Sequence, residues 1–80
     1  MNKARYSRNR LVVDIIGDAR AIGLAEDFGQ KIAVGAADHL EKWLKSRPAA
    51  TPADITRVVG EYLKQHSEDL AFIYTNRTLF

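Results

Sequence analysis

TPADITRVVGEYL, residues 51–63, decides how this chain is read. Thr51 can accept hydrogen bonds from the free N–H groups of a starting helix, Pro52 suits the first helical position, where no N–H is needed, and Asp54 suits the positive end of the helix dipole. Ile55, Val58, Val59, Tyr62 and Leu63 then recur at the three- and four-residue spacing that gathers side chains on one face. Thr56, Arg57, Glu61 and Lys64 fall on the other. The spacing predicts a helix with one buried and one wet face, ending near Gln65 or His66.

Working outward, SRPAATP (residues 46–52) is a break, because its two prolines restrict their predecessors and cannot continue a preceding helix. Before it, a helix over about Ala25–Lys45 is expected, with Phe28, Ile32, Ala36, Leu40, Trp43 and Leu44 on its inner face. Glu26 and Asp27 in its first turn and Lys42 and Lys45 in its last match the helix dipole. Gly29, Ala33, Gly35, Ala36 and Ala37 give it a small flank suited to close packing, inside the monomer or in a dimer. Earlier still, Ser7 is placed to cap a first helix whose stripe is Leu11, Val12, Ile15, Ile16, Ala19 and Ile22, with Arg8, Asp14, Asp18 and Arg20 off it. Gly23 is expected to end that helix, since glycine tolerates the left-handed conformation that closes many helices.

Downstream, Ser67 can cap a short fourth helix with Glu68 and Asp69 in its first turn and Leu70, Ile73 and Tyr74 turned inward. The tail NRTLF has no periodicity to classify, although Leu79 and Phe80 are apolar enough to dock on the body or on a partner. LVVDII has the β-branched residues of a strand, but the helical period continues through Ala19 and Ile22. The expected fold is all-α: a small orthogonal bundle of three main helices plus a short C-terminal helix.

Eighty residues make a single domain, 1–80, with 1–6 as a basic flexible arm. With no cysteine, neither a disulfide framework nor a thiolate metal site can hold it together. No run approaches a membrane span and MNKARYSRNR lacks the apolar core of a secretory signal, so a soluble, cytoplasmic protein is expected. The net charge of +2 is uneven, because Lys3, Arg5, Arg8 and Arg10 make the first ten residues strongly basic while the body is slightly acidic. Such an arm can contact the phosphates of nucleic acid or of a nucleotide, or simply remain solvated.

Residues for catalysis do not assemble in the sequence. His39 and His66 lack the helical spacing of a metal pair, the serines have no nucleophile-elbow context, and the acidic pairs Glu26/Asp27 and Glu68/Asp69 sit where the helix dipole explains them. Neither glycine-rich phosphate-loop pattern occurs. Trp43 with Lys42, Lys45 and Arg47 can stack a base beside cations or serve the core. A non-enzymatic protein with no metal site is expected.

Several positions together resemble the helical portion of the ATP-cone, the small nucleotide-sensing domain of ribonucleotide reductases and their transcriptional repressor. Tyr6, Arg10 and Leu11 match the aromatic-x-x-x-basic-aliphatic opening of that family's first helix. Thr51 and Ile55 match the Thr-x-x-x-Ile start of its third, and Ala71, Phe72 and Ile73 match the Ala-aromatic-aliphatic segment that follows. The resemblance spans roughly residues 6–77. It implies a regulatory domain that senses ATP or dATP with magnesium, or that keeps the fold as an assembly module, with Arg10 and Thr51 as the nucleotide-binding positions. The family's phosphate-contacting β-hairpin is not expected within these residues, which run MNKAR before the first helix. Two alternatives stand beside this reading: a protein-interaction or homo-oligomerising module that uses the small flank or the Leu79/Phe80 tail, and nucleic-acid binding through Lys3, Arg5, Arg8 and Arg10.

Overall fold

Ser7 begins the regular structure, its Oγ accepting from the Arg10 N–H at 3.3 Å, and α1 runs Arg8–Ala21. The structure is a computed structural model that describes residues 6–47 and 49–78, with only the backbone of 77 and 78. Gly23 closes α1 at φ 80°, a conformation that disfavours side chains. Its N–H reaches the Arg20 carbonyl, and the Leu24 N–H reaches back five residues to Ala19. This double closure satisfies carbonyls that the end of a helix leaves open.

α2 spans Glu26–Lys45 behind an Ala25 cap that offers no side-chain hydrogen bond. The turn is held instead by Arg20, whose guanidinium donates to both Glu26 oxygens, at 3.1 and 2.8 Å. α3 spans Pro52–His66 with a complete capping box: Asp54 N–H donates to Thr51 Oγ1 and Thr51 N–H donates to Asp54 Oδ2, both at 3.1 Å. Ser67 alone separates it from α4, Glu68–Thr78, and caps α4 by accepting from the Leu70 N–H.

The four helices pack in cyclic order, α1 on α2, α2 on α3, α3 on α4 and α4 back on α1, and the backbones of the diagonal pairs stay apart. No strand occurs among the described residues, and the fold is an all-α helical bundle. Ile15, Leu40, Val59, Leu63 and Leu70, at least one from each helix, fill its centre. Burying each such side chain contributes roughly 1.5–3 kcal/mol, which a chain this small needs. Most of the small flank of α2 is consumed inside the monomer: Gly29, Ala33, Ala36 and Ala37 are buried, and Gly35 is half-buried against Tyr62.

Three details differ from the sequence expectation. Phe28 is 43% exposed, because Gly29, Ile32, Ala33, Ala36 and Leu40 set the inward line of α2 and Phe28 falls at its edge. Asp18 is buried instead of lying off the stripe. It stands three residues after Ile15 and seven after Leu11, on the inward face by spacing alone. Finally, α4 continues through Asn76 to Thr78, into the tail that showed no periodicity.

Candidate functional site

Although α1 and α3 do not pack together, their first turns face each other across an open cleft of about 280 Å³. Arg10, Asp14 and Leu11 line it from α1, Pro52, Ile55 and Thr56 from α3, and Tyr74 of α4 closes the floor. The structure thus brings Arg10 to the start of the helix that Thr51 caps. The Arg10 side chain is 82% exposed and its Nε lies 3.7 Å from Asp14 Oδ2. Thr51 precedes the lining residue Pro52, and both of its hydrogen-bonding groups are engaged in the capping box. The Thr51 backbone N–H, then its hydroxyl and the neighbouring Arg57, hold the Asp54 carboxyl below its ordinary range, so the positive end of α3 already faces a carboxylate.

Of the basic arm, Lys3 and Arg5 lie outside the described residues. Arg8 belongs to the first turn of α1 and is engaged by α2, with Nη1 at 2.9 Å from Asp38 Oδ1 and 3.1 Å from Glu41 Oε2. Tyr6 donates to the same Glu41 oxygen at 2.8 Å. The Glu41 carboxyl is lowered chiefly by the Tyr6 hydrogen bond and then by Arg8, while burial and Glu41 push the Tyr6 hydroxyl up. Tyr6 and Arg8 therefore fasten the start of α1 to α2.

A second opening lies on the opposite flank of α3. Here α3 and α4 form a tight hairpin, and a β-carbon placed on Gly60 would lie only 2.7 Å from Thr75 Cγ2. Above this contact runs a groove of about 540 Å³ with Gly60 and Ala71 lining it among charged neighbours. Its α3 bank carries Arg57, Glu61 and Lys64, and its α4 bank carries Glu68, Asp69 and Phe72. Phe72 is 68% exposed, the most exposed large apolar side chain among the described residues. Arg57 reaches Asp54 and Glu61 at 3.7 and 4.0 Å, whereas Lys64, Glu68 and Asp69 form no ion pair among the described residues.

In the sequence Phe72 stands out only as part of the family-like segment, with no outward role. The signal was present: Leu70, Ile73 and Tyr74 fix the inward face of α4, and a residue two positions from Leu70 and from Tyr74 points away from it.

The remaining candidates are occupied by the fold. Trp43 is half-buried, with the Arg47 guanidinium over its ring at 5.5 Å from the centroid. His39 and His66 flank Tyr62, with ring centroids 5.2 and 4.7 Å away. Among the described residues no group of three or more His, Asp or Glu side chains could hold a metal ion, and no helix is long and apolar enough to cross a membrane. Leu79 and Phe80 lie outside the described residues. No family model matches the chain, and no curated protein and no solved structure is significantly similar to it.

Proposed function

We propose that this chain is a non-enzymatic regulatory module, ATP-cone-like in its helical pattern, that works by assembly through the groove between α3 and α4. The observation that carries this reading is Phe72, 68% exposed on one bank of a formed groove. An exposed phenylalanine on a flat surface needs no explanation, but one beside a recess with charged rims has the anatomy of an interface anchor. The occupant this groove fits is an amphipathic helix face that offers an apolar side chain to the Gly60/Ala71 recess and charges opposite to those of each bank. Panning a displayed library of amphipathic helical peptides against the whole chain tests this. Selected peptides are expected to shift the amides of Arg57, Gly60 and Phe72 and to lose binding to Phe72→Glu. Selection of peptides that map elsewhere would overturn the reading.

A second reading, nucleotide sensing, is favoured by the placement of Arg10 and the first turn of α3 around one cleft. Arg10 and the helix terminus supply positive potential, which Asp14 and Asp54 oppose. Titration with magnesium-ATP and dATP is expected to move amides near Arg10 and Thr51, and to move them less in Arg10→Ala. Flat titrations at millimolar nucleotide would remove this reading and leave the assembly reading untouched.

A further inference from the structure

Resting on the assembly reading, we infer that the occupant of the α3/α4 groove is a second copy of this chain, related by a two-fold axis running along the groove. The charges choose both the partner and the axis. The α3 bank is net positive, with Arg57 and Lys64 against Glu61, and the α4 bank is net negative, with Glu68 and Asp69. Because Gly60 faces Thr75 and only Ser67 joins the helices, α3 and α4 run antiparallel, so Lys64 and the pair Glu68/Asp69 stand near the same end of the groove.

A rotation about the groove direction preserves position along it and exchanges the banks. Each α3 bank then lies over the α4 bank of the other copy. Lys64 meets Glu68 and Asp69 of the second copy, and its own Glu68 and Asp69 meet the second copy's Lys64. Such contacts have the self-complementarity that a two-fold interface requires. The same rotation sets Phe72 of each copy over the Gly60/Ala71 recess of the other, where no large side chain competes. A two-fold axis across the groove would instead lay α3 on α3 and α4 on α4, and would set Phe72 against Phe72 without answering the three unpaired charges.

Other surfaces serve self-association less well. The small flank of α2, Gly35 excepted, is already buried against neighbours in the monomer. Val13 and Phe28 are exposed apolar residues outside the groove's facing banks, and Val34, with Asp27, Lys31 and Asp38 around it, lies on the surface of α2 alone, without the second bank that a two-fold exchange requires.

Sedimentation equilibrium on the whole 80-residue chain tests the inference. The wild type is expected to show a reversible monomer–dimer equilibrium. Phe72→Glu, at a position too exposed to disturb the core, is expected to weaken the dimer by roughly 30-fold or more, the loss of an anchor residue. Lys64→Glu and the double variant Glu68→Lys/Asp69→Lys are each expected to be monomeric alone, because like charges then face each other, and to dimerise when mixed in equal amounts, because both contact sets are restored. Circular dichroism confirms that each variant is folded. A wild type that stays monomeric at millimolar concentration, or a dimer that survives Phe72→Glu, would overturn the inference. If the chain is monomeric yet the selected helical peptides still map to the groove, the second copy is excluded and the assembly reading stands; if the peptides also fail, both fall.

Discussion

The two flanks of α3 are built from similar materials to opposite effect. On the α1 side, Arg10 pairs with Asp14, and Thr51 pairs with Asp54 in both directions. On the α4 side, Lys64, Glu68 and Asp69 form no ion pair among the described residues, and Phe72 is left in solvent. A charge that already has a partner near its own helix is structural by default, whereas unanswered charges around an exposed ring are free to meet another molecule. The contrast is therefore one of saturation, and the less saturated flank is the one that the sequence highlighted less.

The largest expected effect removes what both flanks share. Leu63, fully buried on α3, holds that helix to the core. Leu63→Ala is expected to destabilise the fold by about 2–5 kcal/mol, read as a lower urea midpoint, and to loosen cleft and groove together. Loss of structure on one flank alone would show that α3 does not join them as one unit.

A smaller effect isolates the groove. Thr75 Oγ1 donates to the Ala71 carbonyl at 2.8 Å, which fixes where its methyl group sits, against Gly60. Gly60→Ala brings a methyl into that contact, and overpacking is expected to cost about 1–3 kcal/mol, outweighing the roughly 1 kcal/mol that alanine gains in helix propensity. Thr75→Ser keeps the hydroxyl and removes the obstructing methyl, so the double variant is expected to recover most of the loss. A double-mutant cycle with no coupling would mean that the helices do not approach closely here.

The cleft is probed next, through its cap. Thr51→Ala removes an N-cap and is expected to cost about 1 kcal/mol. Asp54, Glu41 and Glu26 all have carboxyls lowered by hydrogen bonds from Thr51, Tyr6 and Arg20 respectively. A carboxyl lowered on folding stabilises the native state fully above its unfolded value and loses that contribution as pH falls through the folded value. Stability is thus expected to decline as the pH drops below about 4, with a slightly shallower decline in Thr51→Ala, which keeps the backbone N–H that lowers Asp54 most and loses only the contribution of the hydroxyl. The groove variant Phe72→Ser leaves those carboxylates intact and is expected to keep the wild-type acid slope. Identical slopes in all three proteins would show that the cap does not set the acid response.

These differences also explain what could be read from the chain alone. Thr51, Pro52 and Asp54 announce a helix start because capping is a local transaction among residues three apart, and Ser7 and Gly23 are legible for the same reason. Leu40, Val59, Leu63 and Leu70 were visible as stripes because burial repeats with the helical period. What escaped depended on how the stripes meet. Phe28 is an apolar residue at the edge of a stripe, and only the packing of Gly29 and Ala33 decides that it stays half outside. In the sequence Arg8 is one cation of a basic arm, but Asp38 and Glu41, which engage it, lie thirty residues and more away on another helix. The groove belongs to this second kind, since it lies where Gly60 and Thr75 come close from two helices.

The smallest expected effect is the most telling. Phe72→Ser at dilute protein should change folding stability by no more than about 0.5 kcal/mol, because the ring makes little use of the core. At high concentration the two proteins should part. A dimer that binds only folded chains adds stability by mass action, so the wild-type melting temperature is expected to rise with concentration while that of Phe72→Ser stays level. If Phe72→Ser were instead strongly destabilising at every concentration, the ring would belong to the core and the two flanks of α3 would be alike. A concentration-independent wild type with an unchanged variant would leave the ring exposed but unused by a second copy. Only the divergence with concentration separates an unsatisfied surface from a surface that is satisfied by another copy of the chain.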